Sequence, residues 1–156
     1  MSQTERFDPA KYAPFLAGRA HNGWLGLQYR AHGDDWVALE LPWREDLRGE
    51  TGSDVLASGP IVSLLDMASG LAIWTRMGEF RAIATLDLRV DYSRPAKARS
   101  SVIGKVECYR LTRSAAFVRG TAHDGDEADP VAHMQAVFMS IDKRPAKLPG
   151  TVGAEA

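Results

Sequence analysis

The chain has 156 residues and a formal net charge of −1 at pH 7, with 45% hydrophobic and 25% charged residues. These values predict one globular domain with its own core, and the near-neutral charge argues against nucleic acid or an anionic membrane as a partner. The single cysteine, Cys108, excludes an intrachain disulfide and is typical of a reducing, cytoplasmic setting. The N-terminus lacks the pattern of a signal peptide, and the most apolar stretch, residues 58–74, is too polar and broken for a membrane span.

The first part of the chain predicts a helix followed by a hairpin. Asp8 and Pro9 are typical of a helix start, so we expect a short helix within an N-terminal extension over residues 1–20. Residues 24–32 and 35–43 have the composition of two strands, and Gly33-Asp34-Asp35 is a turn signal between them. The polar residues that follow predict a loop.

The clearest helix is predicted from Ile61 to Met77, because apolar or small residues recur there every three or four positions. Pro60 fits its first turn, Ser58 is a candidate N-cap, and Gly78 is a candidate stop. The helix is apolar over most of its circumference. We therefore expect it to be buried on most sides.

Asp66 is the one charged residue between Asp54 and Arg76, and it lies in this apolar helix. A lone buried carboxylate costs several kcal/mol unless it is paired, so its presence favours a functional role. The alternative is a structural aspartate that is hydrogen-bonded to a serine or to a backbone donor.

The remaining chain predicts four strands. Residues 81–92 have apolar side chains at even positions and mainly polar ones at odd positions, which predicts a half-buried strand with Thr85 on its polar face. Three further strands are expected within residues 101–111, 115–124 and 130–142. The fold class is therefore α+β, with a long antiparallel sheet wrapped around a central helix at about residues 60–77. We expect one domain over residues 1–142 and a flexible tail over residues 143–156.

A helix that carries one acid, followed by the motif "LDLRVDYSRPA" (Leu86–Ala96), resembles the PaaI-like acyl-CoA thioesterases of the hotdog fold. Asp66 falls at the place of the family's helical catalytic acid, and Thr85 falls at the Ser/Thr position of its next strand. The resemblance implies a hotdog fold and hydrolysis of an acyl-CoA thioester, with coenzyme A as part of the substrate and no other cofactor. It also implies a homodimer, or a dimer of dimers.

The chain departs from this family's pattern at two places. The family often opens its helix with His-Gly-Gly, whereas this chain has Ala57, Ser58 and Gly59 there. The family often has an asparagine in the preceding loop, but residues 44–55 contain none. These departures keep two alternatives open: a non-catalytic protein that binds acyl groups or acyl-CoA, and an interaction protein with a relic pocket.

Thioester hydrolysis needs a base or nucleophile, donors for the oxyanion and a group that positions water. Asp66 suits the first role, as general base or nucleophile. Backbone amides near Ser58 and Gly59, at the start of the helix, suit the second. Thr85 suits the third, and the resemblance implies that it comes from the other subunit of a dimer.

Candidate substrate contacts are cations for the phosphates of coenzyme A and one helix residue. The cations are Arg94, Lys97 and Arg99, in the loop after the long strand, and the helix residue is Ser63. The four histidines and the cysteine show no repeated ligand spacing, so no metal is expected. No histidine lies near the helix start, which disfavours hydratase chemistry, and no nucleophile elbow supports a Ser/His/Asp triad.

Overall fold

The structure, a computed structural model, describes residues 6–141 of the chain. The elements follow in the order α1 (Pro9–Ala17), α2 (Ala20–Leu25), β1 (Gln28–His32), β2 (Trp36–Leu41), α3 (Ser58–Met77), β3 (Ile83–Tyr92), β4 (Val102–Leu111), β5 (Ala115–His123) and β6 (Ala132–Ser140). A short 3-10 turn, Glu45–Leu47, interrupts the loop before α3. The predicted order of elements is confirmed except for α2, which the sequence did not predict. The predicted tail, residues 143–156, lies outside the described residues.

The six strands form one antiparallel sheet in the order β1-β2-β4-β5-β6-β3. Helix α3 packs along one face of this sheet, mainly against β4, β2 and β5. The predicted α+β class, with a long antiparallel sheet around a central helix, is confirmed. β3 is an outer strand, so one of its edges has no neighbour among the described residues.

Close packing of α3 on the sheet depends on Gly104 in the middle of β4. A Cβ atom at this position would lie 2.9 Å from Cγ of Leu64 and 3.3 Å from Cδ2 of Leu65, both on α3. Leu64 and Leu65 are fully buried, as are Val102 and Val106 on either side of the glycine. The missing side chain therefore lets the helix lie close against the strand.

The ends of the helices follow the sequence signals with one exception. Asp8 caps α1 as predicted, since its Oδ1 accepts a hydrogen bond of 2.9 Å from the amide of Ala10. Gly78 ends α3 in the left-handed conformation, with φ 72°. The prediction that Ser58 caps α3 is wrong, because Ser58 is already helical and Ala57 is the N-cap residue.

Helix α2 replaces the start of the strand predicted from residue 24. The helix has only six residues, too few to show a helical period in the sequence. Contacts with α3 help to hold it in place, including a hydrogen bond of 3.1 Å from Nδ2 of Asn22 to Sδ of Met67. The error therefore reflects tertiary contacts that a local pattern does not contain.

A β-bulge in β3 changes which side chains face the helix. Thr85 pairs with Phe138, and Asp87 pairs with Val137, which is the adjacent residue of β6. Leu86 therefore has no partner of its own on β6 and is the inserted residue of the bulge. Phe138 is buried on the face of the sheet that packs on α3, and Thr85 therefore points to that face. The prediction that Thr85 lies on the polar face is wrong for this reason.

Candidate active site

Asp66 lies on the flank of α3 near β3, and it is half-buried rather than sealed in the core. It shares this flank with Gly59, Ser63 and Gly70, which follow the spacing of one helix face. The core residues of α3, such as Leu64 and Leu65, point the other way and are fully buried. The carboxylate therefore lies within a row of small residues along this flank of the helix.

Thr85 holds one oxygen of this carboxylate. Its Oγ1 donates a hydrogen bond of 2.9 Å to Oδ1 of Asp66 in the same chain. This contact differs from the expectation that Thr85 approaches the acid from another subunit. Oδ2 of Asp66 has no hydrogen-bond partner within residues 6–141, so one oxygen remains available for water or substrate.

Helix α2 lies beside the same flank of α3. Nε2 of His21 is 3.0 Å from Oγ of Ser63, which precedes Asp66 by three residues, or about one helical turn. Sequence reasoning missed His21, because 42 positions separate it from Ser63 and no motif links the two. We call Asp66, Thr85, Ser63 and His21 the carboxylate half-site.

Two backbone N–H groups are available at the start of α3. The amide of Ala57 donates to the carbonyl oxygen of Leu47 at 2.9 Å, and Pro60 has no N–H. The N–H groups of Ser58 and Gly59 have no acceptor among the described residues, and they lie at the positive end of the helix dipole. A Cβ atom at Gly59 would meet nothing within 4 Å, so the space beside it is open. We call Ser58 and Gly59 the amide half-site.

A cavity of about 350 Å³ adjoins the amide half-site. The hydroxyl of Tyr92 at its wall donates a hydrogen bond of 3.0 Å to the carbonyl oxygen of Ser58, which ties the end of β3 to the start of α3. Burial raises the pKa of this tyrosine, so it stays a protonated donor. The wall is mostly apolar and consists of Val55, Leu56, Ser58, Ile61, Tyr92, Ser93, Arg94, Pro95, Ala96 and Val131.

Arg94 is already committed to contacts within the chain. Its five N–H groups donate to Oδ1 and Oδ2 of Asp124, to Oδ2 and the backbone oxygen of Asp129, and to the backbone oxygen of Pro95, at 2.6–3.1 Å. The guanidinium holds the pKa of Asp124 far below its usual range. The prediction that Arg94 binds substrate phosphate does not fit these contacts, because no donor remains; the residue ties two loops together.

The other two predicted cations are accessible. The side chains of Lys97 and Arg99 are 62% and 70% exposed. Arg99 donates from Nε to Oδ2 of Asp54 at 2.9 Å, and Nζ of Lys97 is 3.8 Å from Oδ1 of Asp124. Both follow Pro95 and Ala96 closely in sequence, and these two residues line the cavity at the amide half-site.

Other features of the described chain are less suited to catalysis. A larger cleft of about 780 Å³ lies on the opposite face of the sheet, but several of its charged side chains pair with each other, as Arg119 does with Glu107 at 2.6 Å. Burial raises the pKa of Cys108 to about 11, which leaves an unreactive thiol.

Within residues 6–141, no cluster of three metal-ligating side chains occurs. None of the described helices is long and apolar enough to span a bilayer.

The two half-sites are separated along α3. Gly59 and Asp66 are seven residues apart, which corresponds to about 10 Å along the helix axis. Asp66 does not line the cavity next to Ser58. One chain therefore presents the carboxylate and the open amides at two different places.

Comparison with known proteins identifies the family. A family model described as the thioesterase superfamily matches residues 55–131, which include all four residues of α3 and β3 that were predicted to be catalytic. No curated protein sequence matches the chain significantly.

Three solved structures illustrate the similarity. A protein of Pseudomonas aeruginosa is 34% identical, with 85% of this chain and 98% of that chain covered and a TM-score of 0.76. A thioesterase family protein from Silicibacter pomeroyi is 26% identical, with 83% and 95% covered and a TM-score of 0.71. The PaaI protein of Escherichia coli is 13% identical, with 85% and 92% covered and a TM-score of 0.72, which supports the fold alone. The chain therefore belongs to the thioesterase superfamily and has the hotdog fold.

Proposed function

We propose that the protein hydrolyses acyl-CoA thioesters with a small or medium acyl or aryl group, and that Asp66 is the general base or nucleophile. The observation that carries this proposal is the hydrogen bond of 2.9 Å from Thr85 to Oδ1 of Asp66. It fixes the carboxylate while leaving Oδ2 without a partner among the described residues. A carboxylate oriented in this way on a largely apolar helix is suited to take a proton from water or to attack a carbonyl carbon.

The amides of Ser58 and Gly59 form the oxyanion hole in this proposal. Two open N–H groups at a helix start stabilise the negative charge that develops on a thioester oxygen. The distance of about 10 Å along α3 favours a site that combines Asp66 of one chain with the amides of a second copy. The outer strand β3 has ten residues and an unpaired edge among the described residues, which suits pairing into a homodimer.

Lys97 and Arg99 are the proposed contacts for the phosphates of coenzyme A. Both side chains are mostly exposed, and they follow the loop that lines the 350 Å³ cavity. Arg94 is left out of this role, because all its donors are used within the chain.

The proposal is tested with a panel of acyl- and aryl-CoA thioesters, with release of free thiol as the readout. We expect wild type to hydrolyse at least one of them, and Asp66→Asn to lower kcat by about 10²–10⁴-fold. Asp34→Asn is the matched control, because Asp34 is an exposed residue in the hairpin turn. Substantial turnover by the Asp66 variant would refute the mechanism.

A second candidate is a non-catalytic protein that binds acyl-CoA. It is favoured by Ala57, which stands where the resemblance places a histidine, and by the absence of asparagine from residues 44–55. Calorimetry that detects binding of acyl-CoA without hydrolysis across the panel would support this candidate over the enzyme.

A further inference from the structure

The hydrogen bond of Thr85 raises the question of what holds the attacking water. A threonine hydroxyl has one hydrogen, and here that hydrogen is donated to Oδ1 of Asp66. Thr85 therefore orients the carboxylate itself and has no donor left for water. If Asp66 activates water, as the proposed function allows, a hydrogen-bond donor that holds the water near Oδ2 has to come from another side chain.

Ser63 lies where that donor is needed. It precedes Asp66 by three residues on the same flank of α3, and such side chains are neighbours, with about 5–6 Å between their Cβ atoms. One water molecule with two hydrogen bonds of about 2.8 Å spans a gap of this size. Like Asp66, Ser63 is half-buried, so water has access to it.

His21 determines how the Ser63 hydroxyl is oriented. A serine hydroxyl rotates to suit its surroundings, and the contact of 3.0 Å with Nε2 of His21 restricts that rotation. Helix α2 has a second, separate contact with α3, from Asn22 to Met67 at 3.1 Å. The role of His21 can therefore be distinguished experimentally from simple docking of α2.

We propose that Ser63 holds the attacking water against Oδ2 of Asp66, and that His21 is a positioning residue that sets the Ser63 hydroxyl. This inference rests on the proposed thioesterase function and assigns the general-base route to it. The water oxygen bonds to the thioester carbonyl carbon while one water proton passes to Oδ2 of Asp66. The C–S bond then breaks, and that proton goes to the departing thiolate, which yields the free acid and the thiol.

The test measures kcat and KM for His21→Ala, Ser63→Ala and the double variant. Loss of one orienting hydrogen bond predicts a decrease of about tenfold in kcat, with KM within about twofold of wild type. Because His21 acts through Ser63, the double variant should be no slower than Ser63→Ala alone. His21→Gln, whose amide can still donate to the serine, should recover most of the rate. Thermal unfolding of each variant checks that the fold is retained.

Two control variants separate this role from structural effects. Asn22→Ala removes the other contact between α2 and α3, and His133→Ala removes an exposed histidine on the far face of the sheet; both should keep the wild-type kcat. An equal decrease in kcat for Asn22→Ala would mean that His21 only helps to dock α2, and would overturn the inference. So would additive losses in the double variant, an effect on KM alone, or no effect of His21→Ala.

The two proposals fail in different ways. If wild type is active and Asp66→Asn is not, but His21→Ala keeps its kcat, the inference about His21 fails and the proposed function stands. If wild type hydrolyses no thioester, or if Asp66→Asn remains fully active, both fail. In a single turnover in water labelled with ¹⁸O, the label should enter only the product acid. Label in the side chain of Asp66 would show nucleophilic attack and would overturn the water-holding role of Ser63.

Discussion

Replacing Ser58 with proline should remove one oxyanion donor without disturbing the fold. Ser58 is the first helical residue of α3, a position where proline is favoured because its fixed φ fits the first turn. The preceding residue, Ala57, has φ −64° and ψ 155°, which is the extended conformation that a residue before proline prefers. The lost N–H has no acceptor among the described residues, so we expect the free energy of unfolding to change by no more than about 1 kcal/mol.

The expected effect on catalysis is much larger. Removal of one oxyanion donor typically lowers kcat by about 10²–10³-fold, or about 2.7–4 kcal/mol. Since the Gly59 amide remains, we expect the lower end of this range for Ser58→Pro. Ser58→Ala is the matched control, because it removes the hydroxyl and keeps the N–H; its kcat should stay within about twofold of wild type. Equal losses in the two variants would show that the side chain, not the amide, contributes.

A hybrid dimer shows which chain supplies the amide. Ser58→Pro and Asp66→Asn are expressed together with different affinity tags, and the dimer that carries both tags is assayed for thioester hydrolysis. If each site combines Asp66 of one chain with the Ser58 amide of the other, one site in the hybrid carries both changes and the other carries neither. The hybrid should then recover about half of the wild-type rate per dimer. A hybrid as inactive as its two parents would refute the shared site.

Three further substitutions test contacts that orient Asp66 or stabilise the fold around the site. Thr85→Val leaves Oδ1 of Asp66 without its donor and should lower kcat by about 10–100-fold in the thioester assay, because hydrogen bonds to charged groups are worth about 1.5–3 kcal/mol. Gly104→Ala places a methyl group 2.9 Å from Leu64 and should lower the free energy of unfolding, measured with urea, by about 1–3 kcal/mol. Asp124→Asn should lower thermal stability at pH 7. The pKa of Asp124 is lowered on folding, so its contribution is fully present above the unfolded pKa of about 3.9 and is lost as pH falls toward the lower folded pKa. The difference in stability between wild type and variant should therefore be constant near neutral pH and begin to shrink below about pH 4.

Specific results would contradict these expectations. Thr121→Val is the control for Thr85→Val, because Thr121 lies on a strand but on the opposite face of the sheet; an equal loss of kcat in both would exclude a specific role for Thr85. Unchanged urea unfolding of Gly104→Ala would mean that α3 moves away from β4 at little cost. A stability difference for Asp124→Asn that stays constant from pH 7 to pH 3 would show that the carboxylate's charge is not what stabilises the two loops.

Local patterns were sufficient to predict α3 and much of its surroundings. The helical period from Ile61 to Met77 and the stop at Gly78 depend only on neighbouring residues, and both match the structure. The position of Asp66 on one flank follows from the same period. The availability of the Ser58 and Gly59 amides follows in part from the sequence, since Pro60 has no N–H and any helix start leaves its first amides unpaired.

Contacts between residues that are far apart in the sequence could not be predicted from local patterns. The sequence predicts Arg94 as a phosphate contact because it is a cation in the loop after the long strand β3. Its actual role depends on Asp124 and Asp129, which the fold brings to it across 30 and 35 positions. His21 was missed for the same reason, since only the packing of α2 on α3 places it next to Ser63.

The bulge in β3 explains why Thr85 was placed on the wrong face and still reaches Asp66. Strict alternation would put Thr85 and Leu88 on opposite faces, because an odd number of positions separates them. The extra residue, Leu86, shifts the alternation, so that both Thr85 and Leu88 pair with residues of β6 that are buried beneath the helix. Leu86 itself is 60% exposed, which shows that its side chain is not needed for the core. One inserted residue thus lets a single strand contribute apolar side chains to the core and a hydroxyl to the carboxylate, which is a known use of bulges near active sites.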